Sequence, residues 1–330
     1  MDPRETRRIV IALAQEAGLP AVGVAPAGPS PHTHYFRRWL EAGYHGQMDY
    51  LSRTRELRLN AGSLLPGARS LIVVADPYTP AFDPTAHPTA DTRRGRVARY
   101  AWGRDYHRVL RRKLQRLADR LHQTIDEPFA TRVCVDTAPL IEREAAAAAG
   151  LGWIGKNTML LDRQRGSYTF LGEIVTTLAI APSTPVTDHC GTCTRCLDAC
   201  PTGALVAPYR MNARRCIAYL TIEHRAAIDE DLEAKMGNWV FGCDICQEVC
   251  PYNRSAPPAT EPAYALRGED GDRACPPLES IVNWNEQDRE RHMGGTAQMR
   301  ATLAMWRRNA TIALANLQQT GKKDGAHDGT

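Results

Sequence analysis

Residues 188–205 read DHCGTCTRCLDACPTGAL, and residues 238–253 read NWVFGCDICQEVCPYN. The first stretch spaces its thiols as Cys190-x2-Cys193-x2-Cys196-x3-Cys200-Pro201. The second gives Cys243-x2-Cys246-x3-Cys250-Pro251, with Cys216 between the two. Three thiolates in close succession let one loop wrap three irons of a cubane, while the fourth Cys, ahead of Pro, points to the other cluster. Crossing the runs in this way assigns Cys190, Cys193, Cys196 and Cys250 to one [4Fe–4S] cluster. Cys200, Cys216, Cys243 and Cys246 then hold the second, with Cys216 supplying the ligand that the second run lacks. Two four-cysteine zinc sites are the competing reading, but those show separated Cys-x2-Cys pairs rather than three Cys in succession ending in Cys-Pro. The spacing therefore implies a ferredoxin-like segment for single electrons.

The remaining composition sets wide bounds. A chain of 330 residues with 43% hydrophobic content is long enough for one large domain and a smaller one. Its net charge of +4 permits a nucleic-acid partner without requiring one. The N-terminal MDPRETRRIVIALAQEAG reads as an amphipathic helix, lacking the continuous apolar run of a signal peptide. No apolar run approaches the ~18 residues of a membrane span, so a soluble cytoplasmic protein is expected. Cys134 falls in a strand-like run and reads as a buried thiol; Cys275, beside Pro276 and Pro277, receives no role.

Outside the cysteines, β-branched runs at 21–25, 71–75, 131–135 and 174–180 alternate with helical patterns at 4–17, 35–42, 106–122 and 139–149. That alternation predicts a mixed α/β or α+β sheet domain over about the first 180 residues. The Pro-rich stretch 77–95 reads as a lid or mobile loop. Residues 181–189 and 253–262 read as linkers into and out of the cysteine region, 297–317 as a last helix, and the Gly-rich end as a disordered tail. The first 180 residues carry no GxGxxG nucleotide fingerprint following a strand, and no P-loop.

Several longer phrases carry a resemblance. The segment VDTAPLIEREAAAAAGLGWIGKNTMLL (135–161) is similar to the signature of the epoxyqueuosine reductases, a cobalamin-dependent family acting on tRNA. Similar too are ARYAWGRDYH (98–107), GSYTFLGEI (166–174), YLTIEHRAAI (219–228) and both cysteine stretches. The resemblance implies an α+β fold: a nitroreductase/flavin-reductase-like cobalamin-binding domain (1–181), a two-cluster ferredoxin-like domain (182–256), a short C-terminal helical extension (257–320) and a tail (321–330). It implies a cytoplasmic monomer that uses base-off cobalamin and two [4Fe–4S] clusters to reduce epoxyqueuosine at the tRNA wobble position. An external flavodoxin- or ferredoxin-type donor would feed it. Longer members continue into HEAT-like repeats, and a reduced tRNA platform is expected here.

By the same resemblance Asp136 is the proton donor, which calls for a raised pKa. Its local sequence also fits a helix cap ahead of Pro139. Arg58, Lys156, Asn157 and Ser167 match positions near the cofactor, although Leu59-Asn60-Ala61 departs from the family phrase after Arg58. Tyr100, Trp102, Tyr106 and His107, with nearby Arg residues, read either as a base-stacking surface or as core beside a solvated helix face. A reductive dehalogenase and a plain electron carrier are the alternative functions.

Overall fold

The protein is described from a computed structural model over residues 1–78, 93–254, 256–266 and 272–324, the last five of these by backbone alone. The first half builds a four-stranded antiparallel sheet from β1 (Val22–Pro26), β2 (Ser70–Pro77), β3 (Thr131–Cys134) and β4 (Thr169–Thr176), in the order β1-β2-β4-β3. Two amphipathic helices, α1 (Pro3–Glu16) and α2 (Tyr106–Thr124), cover one face. Val10, Leu110, Leu114, Leu117 and Leu121 pack there on Val24, Ile72 and Ile174. The other face takes the short helix α3 (Glu142–Ala148), whose Ala145 and Ala146 lie against Val73, Cys134 and Val175. The alternation of strand side chains between two helical layers makes this an α+β domain.

Some expected elements shift. The strand expected at 174–180 is found at Thr169–Thr176, because β4 pairs along its whole length with β2, from Ser70↔Thr176 to Pro77↔Thr169. Pairing overrides the local apolar run. The helix expected from Pro139 begins only at Glu142, since Leu140 N–H bonds Ala138 O in a tight turn. The last helix, α4 (Leu303–Asp324), is separated from a 3₁₀ turn at Ala297–Arg300, and Met305 N–H donates to Thr302 Oγ1 at its start. It continues through Asp324, into the stretch expected to be a disordered tail. Most of the lid expected at 77–95, and residues 325–330, lie outside the described residues.

The cysteine-rich segment is welded to the sheet domain. A two-stranded parallel pair joins Arg96–Val97 to Trp239–Phe241. Buried Arg99 donates to Glu248 Oε1 at 2.7 Å and to Asp244 Oδ2 at 3.2 Å. A single apolar cluster runs from Val97 and Trp102 through Val240 and Phe241 to Trp306 and Ala310 of α4. Beneath α2, Lys113 Nζ donates to Asp76 Oδ2 at 2.7 Å and Tyr264 Oη to the same oxygen at 2.9 Å, tying β2 to the chain after the cysteines. Among the described residues, no helix is long and apolar enough to cross a membrane.

Candidate active site

Asp136 follows β3 in an unusual conformation. Thr137 N–H bonds Val135 O at 2.6 Å, closing a γ-turn around Asp136, whose φ is +53°. A γ-turn of this hand is rare and costs about 1–3 kcal/mol, so its surroundings must hold it. The helix-cap alternative does not apply: Ile141 stands at the N-cap of α3 and no side chain caps it. Asp136 instead meets His107, Oδ2 to Nε2 at 3.1 Å. The other imidazole nitrogen, Nδ1, lies 2.6 Å from Asp105 Oδ1, and Asp105 is the N-cap of α2. Tyr106 stacks on both Phe170 and His107, with centroids 4.3 and 4.1 Å apart, and so orients the imidazole.

Electrostatics follow from this chain of acid, imidazole and acid. Burial works against a charged His107, but hydrogen bonds and charge from Asp105 and Asp136 prevail and raise it to about 9. Burial pushes the Asp136 carboxyl up. The hydrogen bond and charge of His107, helped by Tyr106 and Arg300, outweigh that and hold it below the usual carboxylate range. This corrects the expectation of a raised Asp136. At neutral pH the available proton rests on His107, one hydrogen bond from Asp136. Half of the Asp136 side chain, 51%, is open to solvent, so the turn can be reached from outside.

Arg58 lies near enough to feel this turn. It donates to Thr54 Oγ1 at 3.0 Å and to Leu140 O at 3.1 Å, and it feels the charges of Tyr50, Glu142 and Asp136. The other expected cofactor contacts point elsewhere. Lys156 Nζ donates to Gly191 O at 2.6 Å and Cys193 O at 2.9 Å, and Asn157 Nδ2 to Cys246 O at 3.3 Å. Ser167 is 2% exposed, and its hydroxyl donates to Gln247 Oε1 at 2.8 Å. These three side chains clamp the cysteine loops to the sheet domain, because their polar atoms are spent on that segment. The turn that carries Lys156 and Asn157 relies on Gly150 at φ +75° just after α3, and on Gly152, where a Cβ would strike Leu161 O.

All ten cysteines are free thiols. Burial raises Cys250 to about 11, and its thiol neighbours are Cys190, Cys196 and Cys193. Cys243 senses Cys216 and Cys246, while Cys246 senses Cys216 and Cys200 and, across the divide, Cys196. Both cysteine runs are thus brought close to one another in the fold. Trp153, Leu161 and Tyr252 make an apolar wall beside Cys190 and Cys250. Exposed Arg143 stands between the two centres, interacting with Glu142 on one side and Cys246 and Cys216 on the other.

Residues that the sequence reading passed over complete the site. Asp105 and His107 lie in a phrase read for base stacking; the Asp-x-His spacing at a helix start was their signal. Trp102 is core, 1% exposed, whereas Arg108, Arg111, Arg112 and Arg116 form the solvated face of α2. Glu142 and Glu173 were also missed, although a lone acid in the strand TFLGEIVT is a visible anomaly.

The sheet domain with an acid–imidazole–acid chain, joined to a two-run cysteine segment, defines a redox enzyme of the iron–sulfur class. Residues 189–253 match the 4Fe-4S double cluster binding domain, and residues 58–137 match the family described as Epoxyqueuosine reductase QueG, DUF1730. The chain is 43% identical over 316 residues to the epoxyqueuosine reductase of Xanthomonas campestris pv. campestris, covering 96% of this chain and 88% of that one. It is similar to the structure of an epoxyqueuosine reductase with a tRNA-Tyr epoxyqueuosine-modified stem loop, with TM-score 0.84, 34% identity and coverage of 95% and 82%. It is also similar to a Bacillus subtilis epoxyqueuosine reductase whose catalytic loop is swung out of the active site, with TM-score 0.83, 32% identity and coverage of 95% and 82%. The chain belongs to the epoxyqueuosine reductase family, which sets aside the carrier and dehalogenase alternatives.

Proposed function

We propose that this chain reduces epoxyqueuosine to queuosine in tRNA, with Asp136 delivering a proton to the oxygen leaving the epoxide. Removing that oxygen to leave a carbon–carbon double bond takes two electrons and two protons and releases water. The eight cysteines, in the crossed sets given above, suit two [4Fe–4S] clusters that pass electrons singly. A base-off cobalamin beside the Asp136 turn would supply a strongly nucleophilic low-valent metal. The residues around Asp136 fit such a group: Asp136 is half open to solvent, and the Arg58 and exposed Arg143 guanidiniums would be donors for the amides and phosphate of cobalamin.

The observation that carries this reading is the shared support of the two centres. The Asp136 turn leads into α3, and the turn after α3 clamps both cysteine loops through Lys156 and Asn157. His107, protonated at neutral pH, recharges Asp136 after it gives its proton away. Lys156, Asn157 and Ser167 act on the cofactor through the loops they hold. The antiparallel sheet with helices on both faces supports a nitroreductase/flavin-reductase relationship for residues 1–181, followed by the cluster segment 182–256 and a helical extension 257–320. The enzyme acts as a cytoplasmic monomer fed by a flavodoxin- or ferredoxin-type donor, and its tRNA substrate is the one bound by its solved relative.

The test is anaerobic reconstitution with iron, sulfide and cobalamin, followed by chemical reduction and addition of an epoxyqueuosine-bearing stem loop. Formation of queuosine, lost in D136N, is expected. A fully loaded, reduced protein that leaves the stem loop unchanged would overturn the reading.

A further inference from the structure

The Asp136 γ-turn needs a restraint, and the structure shows one. The Asp136 N–H donates to Glu142 Oε1, a carboxyl fixed at the first position of α3. Directly below, Glu173 on β4 pairs with Cys134 of β3 and Val73 of β2, so its side chain enters the layer between the sheet and α3. Glu173 is 0% exposed, and neither carboxyl oxygen has a hydrogen-bond partner among the described residues. An ionised carboxylate in that position would be uncompensated, so it is neutral.

We propose that Glu142 is a positioning residue that latches the Asp136 turn in its observed position, with Glu173 beneath it as an uncharged floor. The inference rests on Asp136 being the group that meets substrate. The solved relative with its catalytic loop swung out shows that such a loop has an alternative position in that protein. A carboxylate bonded to the amide favours the inward position, and a neutral acid holds it less firmly.

Burial, then the Asp136 charge, raises Glu142 to about 7. The acids facing it are Asp136, Glu173 from β4, and the Cys134 thiol. Facing cations are Arg143 on its own helix, His107 from α2 and Arg58, and Tyr106 completes the set. Glu173 itself is pushed well above the usual range by burial, then by Glu142 and Asp136. The latch therefore tightens as pH rises through about 7, where Glu142 ionises.

Hydrogen exchange at the Asp136 amide, in the full cluster-loaded chain, reads the latch directly. After correction for intrinsic exchange, wild-type protection is expected to rise about tenfold from pH 6 to pH 8. E142Q should show no such rise, and E142A should lose protection at both pH values while retaining the wild-type iron content. With stem-loop substrate, E142A should lower kcat about tenfold and leave KM within about twofold. E173Q, neutral for neutral, should leave the pH midpoint in place. A rise that persists in E142Q, or unchanged protection in E142A, would overturn the latch; a midpoint moved by about one unit in E173Q would overturn the neutral floor. Should D136N turn over normally while the exchange results hold, the functional reading fails and the latch stands.

Discussion

His107 Nε2 lies 3.1 Å from Asp136 Oδ2 while its Nδ1 lies 2.6 Å from Asp105 Oδ1, so one imidazole ties the N-cap of α2 to the turn after β3. Neither acid is near the other in sequence, and the contact exists only because β3 and α2 pack together. That contact keeps His107 charged at neutral pH and Asp136 ionised.

Replacing Asp136 by Asn keeps the size of the side chain and removes its ability to pass a proton. D136N is expected to lower kcat on epoxyqueuosine stem loop by roughly 10²–10⁴-fold. Cluster content and stem-loop affinity should be unchanged, measured by iron analysis and by binding titration. An equal loss in affinity would point to a binding role instead.

The pH dependence of stability follows from the same chain. His107 is raised from 6.5 to about 9, so its contribution is complete below 6.5 and is lost as pH rises through about 9. Asp105 and Asp136 are held below 3.8, so their contributions are present above that value and vanish as pH falls through the depressed range. Thermal unfolding of H107Q should therefore lack the wild-type decline between pH 6.5 and about 9. A decline of undiminished size in H107Q would assign it to other groups.

Cysteine substitutions test the crossing. C250A is expected to damage the cluster held by Cys190, Cys193 and Cys196, and C216A the cluster held by Cys200, Cys243 and Cys246. Each variant should lose up to half of the iron, and the two should leave different electron-paramagnetic signals after reduction. Identical residual signals would contradict two separate ligand sets.

Lys113 is the cation that neutralises buried Asp76, with side chains 5% and 1% exposed. Burial already pushes Asp76 above the usual carboxylate range despite Lys113 and the Tyr264 hydroxyl. Removing the cation leaves a buried acid without its partner charge, and K113M should cost about 3–5 kcal/mol in denaturant unfolding. The double variant D76N/K113M should recover a good part of this, because the fully buried acid is then neutral and only partly exposed Glu261 loses its cation.

Much of the architecture could be read before folding was considered. The cysteine runs marked the double-cluster segment at residues 189–253, because ligand spacing within a short loop is a local property. The α2 stripe of Val109, Leu110, Leu114, Leu117 and Leu121 likewise followed from period alone. The start of α3 and the true extent of β4 did not, since a γ-turn at Asp136 and pairing with β2 decided them. Ser167 matched a position near the cofactor by resemblance and is a buried clamp on Gln247.

Sequence alone thus determined where the iron–sulfur segment lies, which helix faces are apolar and which family the chain resembles, all being read from patterns along the chain. Tertiary structure decided the charge of the site. Whether Asp136 is held ionised or neutral depends on His107, 29 residues away, and whether Glu173 carries charge depends on what seals it from water. Ionisation answers to surroundings in space, and only the folded chain supplies them.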